Sequence, residues 1–466
     1  MRSALIKIAL FALFLAAPVA VLLLFGPADS YGRPQTRFPS VVKVLLGKQG
    51  RFDQFGDAVL ERSDVRRLAI QLRNWTSYRI VGFVDTEHVV SGNHGWLFYR
   101  GDFAGGRCLD KEKTAEALRG LAVLVDLAQA AGIDMIVSLS PDKSTIYPEA
   151  LNPIIRGYWK CRIENIAALR HIIGREVPII IDHAAPLLAE KARNPDEPLY
   201  FATDTHWTPF GSALALRQLL AAAYPDAQMP PPRPTGSRPA HSTDLSRLLL
   251  LPTTEEAVTV EPLGPDDLGS AVGGRQTLIV HDSFYGSLRP QLQSLFSPAV
   301  LHNFNDKDDV GADAMAAERI IVNAVERTLL MRLKRNLSGE AALPRAIVAR
   351  NQRRAEGCVS FSAGAIGEAA MAAEMGQLIA VRALPSGRLP CIRLSLSGDD
   401  PATLHLALPR PDDGTFEPGR AVTYTLAPGA RTVALVLPAY TAGSSVQVSL
   451  EGAALSTVEI GEVADQ

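Results

Sequence analysis

Two short blocks of the chain carry the residue types of nucleophilic catalysis. In the first, Asp-Thr-His at 204–206, a carboxylate two residues before a histidine can accept the Nδ1 proton and leave Nε2 as a base. In the second, His-Asp-Ser at 281–283, the block directly follows the predicted strand residues 277–280. Together the blocks predict Asp204 as the orienting acid, His206 as the base and Ser283 as the nucleophile of an acyl-transfer or ester-cleaving site.

Each block also has a simpler interpretation. Asp-x-His occurs by chance in sequences with nine histidines, where it is a solvated or capping pair. Asp-Ser after a strand is commonly a helix cap, and the flanking glycines of the GxSxG turn are missing here. The side chains of Asp204, His206, His281 and Asp282 are also metal-ligand types, so a metal-dependent deacetylase is an alternative.

The elements around these blocks alternate short apolar runs with amphipathic stretches, which predicts an α/β domain with a parallel sheet and helices on both faces. Strands are predicted at 133–139, 177–182, 276–281 and 299–304, and helices at 113–131, 161–173, 209–223 and 312–335. In such folds ligands bind at the carboxyl ends of the strands, where Ser283 stands. The proline-rich stretch 229–239 is expected to be a surface loop leading to an insertion.

After about Arg350 the long helical patterns give way to short alternating runs between Gly, Pro and Asp clusters. These runs, at 392–396, 403–408, 422–426, 432–437 and 446–450, predict an all-β sandwich module. The Ala-rich stretch 363–375 is either a helical excursion or a loop.

The length of 466 residues predicts two folded units, and the formal net charge of −2 leaves no basic surplus for binding nucleic acid. Residues 8–26 are uncharged and apolar, and as a helix they would cover roughly 28 Å, close to the hydrocarbon thickness of a bilayer. We expect a signal anchor with the body across the membrane, or otherwise a cleaved signal peptide. Either way the body is exported.

The four cysteines of an exported chain are expected to form disulfides. One pair falls in each half, which predicts a bridge between Cys108 and Cys161 and another between Cys358 and Cys391. Structural zinc or thiol redox chemistry is a weaker interpretation because no CxxC spacing occurs, and buried free thiols remain an alternative.

Four blocks in one order resemble the exopolysaccharide O-acetyltransferases of the AlgJ and AlgX type, which have an SGNH-hydrolase-like domain. They are GWLFY at 95–99, SPDKSTIYPEAL at 140–151, DTHWTPFG at 204–211 and HDSF at 281–284, and the resemblance covers about residues 92–305. One residue departs from the pattern: His281 stands where the family has glycine before Asp-Ser. Its side chain could crowd the nucleophile turn or contact substrate.

The resemblance implies a ping-pong acetyl transfer through acetyl-Ser283, with His206 as base and Asp204 orienting it, to hydroxyls of an exported, alginate-like polysaccharide. It implies no cofactor and no metal. The backbone N–H of Ser283 is the expected oxyanion donor. The implied partners are the polysaccharide and a multi-pass membrane acyltransferase that supplies the acetyl group, in a periplasm-like space. A secreted SGNH carbohydrate esterase or a non-catalytic polysaccharide-binding scaffold are the alternatives.

Substrate contacts are expected from four residues near the triad. Trp207 and Tyr285 could stack on sugar rings, or simply pack the wall of the site. Lys143, after a predicted strand, could neutralise a uronate or an oxyanion, or be a solvated loop lysine. His281 is the fourth. The expected organisation is a signal anchor at 1–28, a spacer and first helix at 29–75, an SGNH-like domain at 76–345 and a carbohydrate-binding-like β-sandwich at 350–466.

Overall fold

A computed structural model describes residues 64–103, 109–158, 160–241, 243–271, 274–306, 310–339, 341–363, 377–397, 401–426, 429 and 432–465, with a few isolated positions before 64. Nearly all of the predicted anchor, most of the predicted spacer before residue 64, and the Ala-rich stretch after 363 lie outside these residues, whereas 64–75 form a helix within the segment expected to hold the first helix. Among the residues described, no helix is both long enough and apolar enough to span a bilayer.

The helices follow the amphipathic stretches closely at 113–131, 161–173 and 209–223. They are α1 (Asp64–Thr76), α2 (Lys111–Ala130), α3 (Lys143–Ile146), α4 (Pro153–Tyr158), α5 (Lys160–Glu176), α6 (Ala184–Arg193), α7 (Pro209–Ala223), α8 (Asp244–Leu248), α9 (Ser283–Gly286), α10 (Arg289–Leu295), α11 (Val310–Ala316), α12 (Leu329–Asn336) and α13 (Ala342–Ala355).

The strands fall into a parallel group, an antiparallel group and two small hairpins. They are β1 (Val89–Ser91), β2 (Leu97–Tyr99), β3 (Asp134–Ser140), β4 (Ile181–Asp182), β5 (Pro234–His241), β6 (Thr254–Val260), β7 (Thr277–His281), β8 (Ala299–Asn303), β9 (Arg319–Val325), β10 (Val359–Ala363), β11 (Gln377–Ala380), β12 (Arg388–Ser397), β13 (Thr403–Ala407), β14 (Ala421–Thr425), β15 (Thr432–Val436), β16 (Ser445–Glu451) and β17 (Ala454–Ala464).

The first half of the chain is built on a five-stranded parallel sheet in the order β4-β3-β9-β7-β8. Alternate residues of its strands enter two separate cores. Ile136, Ile279 and Ile321 pack under α6, α7 and α10. Their neighbours, such as Val137 and Val322, pack under α2, α5, α12 and α13. Helices therefore cover both faces, which confirms the expected α/β class.

Three expected elements are wrong or incomplete. The predicted helix at 312–335 is interrupted by β9, whose β-branched run is buried along its whole length as a central strand requires. The strand predicted at 177–182 is only β4, because a turn occupies residues 178–180. Part of the proline-rich stretch is not a loop: residues 234–241 form β5, which pairs with β6 alone, so its prolines need no second partner strand.

The second half is the expected β-sandwich, with antiparallel sheets in the orders β10-β17-β12-β15 and β11-β16-β13-β14. Its core includes Leu394 from one sheet and Leu404 from the other, and it also receives Val123 and Leu127 of α2 and Val348 of α13. The expected boundary between 345 and 350 falls inside α13. A disulfide joins Cys358 to Cys391, as predicted. Cys108 and the side chain of Cys161 lie outside the described residues.

Candidate active site

Ser283 lies at the carboxyl end of β7, as the first residue of the short helix α9. The preceding Asp282 caps this helix: one carboxylate oxygen accepts the N–H of Phe284 at 3.0 Å and the other accepts the N–H of Val325. Burial raises the pKa of Asp282. The capping aspartate thus fixes the turn between two strands of the sheet, and the Ser283 side chain is left exposed on top of it.

The base stands on a loop, residues 201–208, which leads into α7. Near the end of this loop Trp207 forms an antiparallel bridge with Tyr200, the residue just before the loop. Two charged side chains, the half-buried Glu255 and the buried Lys143, hold this loop. The Glu255 carboxylate accepts the N–H groups of Ala202 and Thr203 at 2.6 and 2.8 Å. Lys143 donates to three carbonyl oxygens of the same loop, those of Phe201, Ala202 and Asp204, at 3.1, 3.0 and 2.5 Å. Side chains therefore hold both the N–H groups and the carbonyl oxygens of this loop.

His206 is oriented as the sequence predicts. Its Nδ1 lies 2.8 Å from Oδ1 of Asp204, which also accepts the backbone N–H of His206 at 2.9 Å. Burial would raise the pKa of Asp204, but its hydrogen bond to His206 and the charge of that ring outweigh burial and lower the pKa to about 2. With Nδ1 engaged, Nε2 is the basic nitrogen, and among the described residues it has no hydrogen-bond partner.

A second carboxylate, Asp244 at the start of α8, lies against the same ring. Its backbone N–H donates to Oδ2 of Asp204 at 2.9 Å, and its Oδ1 accepts the N–H of Thr205 at 2.7 Å. The remaining oxygen lies 3.7 Å from Nδ1 of His206. Burial, followed by the nearby charge of Asp204, raises the pKa of Asp244. This residue was missed in the sequence because it lies forty positions from the Asp-x-His block.

Ser283 and His206 line one cavity of about 500 Å³. The helix of the nucleophile and the loop of the base are held together beside it by an aromatic contact, in which the rings of Phe284 and His206 lie 5.0 Å apart. Arg327 and Arg332 also line the cavity. Other lining residues are Tyr99, Gly101, Thr205, Asp244, Leu248, Asp282, Asn303, Asn305, Val325 and Thr328.

The two arginines line this cavity together with two aspartates, Asp244 and Asp282, and neither arginine was expected there from the sequence. Arg327 is paired with the buried Asp102 and Asp142, which outweigh the effect of burial and raise its pKa. Arg332 donates from Nη2 to Asn305 at 3.2 Å, and its buried Nε has no partner among the described residues. Both follow β9, the strand that was predicted as helix, so their position at a strand end was not visible.

The four residues expected to contact substrate are buried, between 0% and 2% exposed, and none of them is among the residues that line this cavity. Lys143 is 1% exposed and holds the base loop. The Trp207 ring packs 5.0 Å from that of Phe284. The imidazole of His281 faces inward, with Nδ1 2.6 Å from the carbonyl oxygen of Asp282. Each of these side chains positions the site from below.

Tyr285, the fourth, belongs to a buried polar network under the nucleophile turn. Nε2 of Gln218 donates to the carbonyl oxygen of Asp182 at 3.2 Å, so its Oε1 accepts Nδ1–H of His183 at 2.7 Å. The hydroxyl of Tyr285 then donates to Nε2 of His183 at 2.8 Å and lies 3.0 Å from the Ser138 hydroxyl. Burial lowers the pKa of His183 to about 4, which keeps the imidazole neutral.

The metal-ligand set considered from the sequence is not brought together. His281 is engaged with the backbone of Asp282, and both carboxylate oxygens of Asp282 accept backbone N–H groups. Donor atoms of Asp204, His206 and Asp244 do lie within 4.8 Å of one another. The contacts described above already engage these groups with each other and with the backbone of their loop.

The α/β domain thus places a serine at a strand end and a histidine held by a carboxylate beside one cavity. The family described as "SGNH hydrolase-like domain, acetyltransferase AlgX" matches residues 89–262. That segment includes Asp204 and His206 and ends before Ser283. Over this segment the resemblance stated from the sequence is confirmed.

A curated relative is the probable alginate O-acetylase AlgJ of Pseudomonas putida, which is 30% identical over 145 residues. The match covers 29% of this chain and 33% of that protein, so the chain spans about a third of the relative's length. Two solved structures are also similar. The O-acetyltransferase domain of P. putida AlgJ has 22% identity and a TM-score of 0.35 over 52% of this chain and 92% of that one. AlgX of Pseudomonas aeruginosa has 16% identity and a TM-score of 0.39 over 81% and 94%.

Proposed function

We propose that the protein is an O-acetyltransferase that carries an acetyl group on Ser283 and passes it to a hydroxyl of an exported, alginate-like polysaccharide. The observation that carries this proposal is the shared cavity: an exposed serine on a capped strand-to-helix turn stands beside a histidine whose Nδ1 is held by Asp204 and whose Nε2 is unpaired among the described residues. The confirmed resemblance of residues 89–262 to the AlgX acetyltransferase domain supports the reaction class.

In the first half-reaction, Nε2 of His206 takes the proton of the Ser283 hydroxyl while its oxygen attacks the acetyl carbonyl of the donor. The negative charge forms on the carbonyl oxygen, where the backbone N–H of Ser283 at the start of α9 is the donor we assign. Collapse breaks the bond to the donor's leaving oxygen, which takes the proton from the imidazolium. Asp204 stabilises the imidazolium throughout because its pKa of about 2 keeps it ionised.

In the second half-reaction, a sugar hydroxyl gives its proton to Nε2 of His206 and attacks acetyl-Ser283, so the acetyl ester moves to the sugar and the serine is restored. One cationic side chain in the lining of the cavity, that of Arg332, has no ion pair among the described residues and supports an anionic acceptor. The guanidinium of Arg332, with its Nε unpaired among the described residues, is the group we assign to a uronate carboxylate. This replaces the role first expected for Lys143.

The cellular setting proposed for this reaction follows from the apolar segment 8–26, which lies outside the described residues. We propose a body in a periplasm-like space, anchored to the inner membrane by that segment. The acetyl donor there would come from a multi-pass membrane acyltransferase. The β-sandwich would contribute carbohydrate binding. No cofactor or nucleic-acid partner forms part of this proposal.

The test is incubation of the full chain in detergent with a chromogenic acetyl ester, followed by intact-mass measurement. We expect a gain of one acetyl group, located on Ser283 by peptide mapping and lost in Ser283→Ala. The matched control is Ser287→Ala, one turn along the same segment, where the hydroxyl only bonds Trp207 and the backbone. Addition of an oligouronate should then move the acetyl group to sugar.

The possible outcomes separate the rival functions. Acetate release without acetylated sugar identifies an esterase. Full activity of Ser283→Ala with loss on chelation identifies a metal-dependent deacetylase. A chain that binds the oligouronate but forms no acetyl adduct under any condition is a binding scaffold, and the proposed transferase would then be wrong.

A further inference from the structure

One stretch of the surface, residues 68–81, concentrates exposed apolar side chains within fourteen positions. Ten large apolar side chains of the described residues are exposed, and five of them lie in this stretch. Leu68, Leu72 and Trp75 of α1, and Ile80 and Val81 of the π turn that follows, are between 44% and 69% exposed. Such a concentration on an otherwise polar surface marks a binding face.

The spacing of these residues makes them one stripe. Positions 68, 72 and 75 recur at i, i+4 and i+7, so they project from the same face of α1. The helix is fixed to the body by other residues: Nδ2 of the buried Asn74 donates to the carbonyl oxygen of Leu249 at 2.9 Å, and the hydroxyl of Tyr78 donates to that of Gly95 at 2.6 Å. With these contacts made, the stripe points away from the domain.

The charge of the same stretch is strongly positive. Residues 64–81 contain four arginines and one aspartate, a net charge of +3. Arg73 and Arg79 are exposed. A helix with leucines and a tryptophan on one face and arginines on the others is the pattern that lies in the plane of an anionic membrane surface, and tryptophan favours that depth.

We propose that α1 and the following π turn dock flat on an anionic phospholipid bilayer, with Leu68, Leu72, Trp75, Ile80 and Val81 inserted below the headgroups. The bilayer is favoured over a protein partner by the joint presence of the arginines and by the 19-residue apolar segment at 8–26, upstream in the same chain. The proposed contact is separate from that segment: it fixes the orientation of the folded body on the membrane, whereas an anchor alone would only tether it.

The test uses the full chain reconstituted in nanodiscs of phosphatidylethanolamine and phosphatidylglycerol, with or without bromine on the acyl chains. Trp75 emission is obtained as the difference between wild type and Trp75→Phe. We expect bromine to quench this emission, and Leu68→Ser/Leu72→Ser to abolish the quenching. The matched control is Val359→Ser, a residue of similar exposure on the β-sandwich, which should leave the quenching unchanged.

Three results would overturn the proposal, and none depends on acetyl transfer. Trp75 emission unaffected by brominated lipid would show that the stripe does not enter the bilayer. Equal quenching in discs of phosphatidylcholine alone would remove the role of the arginines. If Trp75 were shielded only in discs that hold two copies of the chain, the stripe would be covered by a second copy and not by lipid.

Discussion

Replacing Lys143 by methionine keeps the apolar stem of the side chain and removes the ammonium group that holds the base loop. The Nζ of Lys143 donates to the carbonyl oxygens of Phe201, Ala202 and Asp204, and the side chain is fully buried. The substitution therefore removes the Lys143 hydrogen bond from three carbonyls before His206, of which that of Ala202 still accepts the N–H of Leu97. We expect the loop to loosen and the imidazole to lose its fixed position relative to Ser283.

The magnitude follows from two opposing terms. Hydrogen bonds from a charged donor contribute about 1.5–3 kcal/mol each, so three of them stabilise the loop by roughly 5–9 kcal/mol. Against this, burial lowers the pKa of Lys143 from 10.5 to about 8, which corresponds to roughly 3 kcal/mol for burying the charge. The net loss in Lys143→Met is then roughly 2–6 kcal/mol, expressed mainly as local opening of the loop. A base displaced by 1 Å lowers kcat by about 100-fold.

The assay combines kcat on a chromogenic acetyl ester with amide hydrogen exchange of residues 201–208. Lys191→Met is the matched control, because Lys191 also donates to a carbonyl, that of Ile146 at 2.6 Å, but lies away from the base loop. We expect wild-type kcat for the control and, for Lys143→Met, faster exchange together with the loss in kcat. Wild-type kcat and unchanged exchange in Lys143→Met would refute the clamp.

Further predictions concern charge, pH and the buried network. Burial holds the pKa of Lys143 at about 8 in the folded chain, below the 10.5 of the unfolded chain, so between these pH values the unfolded chain binds more protons. The contribution of Lys143 to the free energy of unfolding should therefore rise by roughly 3 kcal/mol from pH 8 to pH 10.5. Urea unfolding at several pH values should show this rise in wild type and not in Lys143→Met. The same pH dependence of the free energy of unfolding in both proteins would contradict the prediction. Asp244→Asn keeps the acceptor for the loop N–H but removes the charge 3.7 Å from Nδ1 of His206, so kcat should fall about tenfold with KM unchanged. A change in KM alone would instead indicate substrate contact. Tyr285→Phe leaves Nε2 of His183 unpaired and should lower the free energy of unfolding by about 1–3 kcal/mol in urea titrations, whereas no loss would mean the network contributes nothing.

The fold class was predictable because its signals are local. The amphipathic stretches at 113–131 and 209–223 and the turn-bounded β runs after Arg350 each carry their own periodicity. Strand β9 shows no alternation of apolar and polar residues, because both of its faces are buried and most of its residues are apolar. The alanine-containing segments beside it fit helical spacing equally well. Strand β5 was hidden by prolines that exclude a central strand but are tolerated where only one neighbour pairs.

The candidate triad could be named from the sequence because its residue types stand in two short blocks. Its supporting residues could not: Glu255 and Asp244 reach the base loop from 40 to 53 positions away, and only the path of the chain brings them there. Lys143 and Trp207 show the converse error. Sequence places them beside strand ends and the base, but it does not tell whether a side chain points into a cavity or into the core beneath it.

Helix α13 packs against both halves of the protein, so the two halves cannot be exchanged independently. Its Leu343 and Ile347 complete the core under the parallel sheet, while Val348 enters the core of the β-sandwich. Asn351 hydrogen bonds to the carbonyl oxygens of Leu127 and Val436, one in each half. A cut inside α13 would expose apolar surface on both sides. Recombination of such halves between relatives would therefore have to transfer α13 and the helix face it meets as one unit.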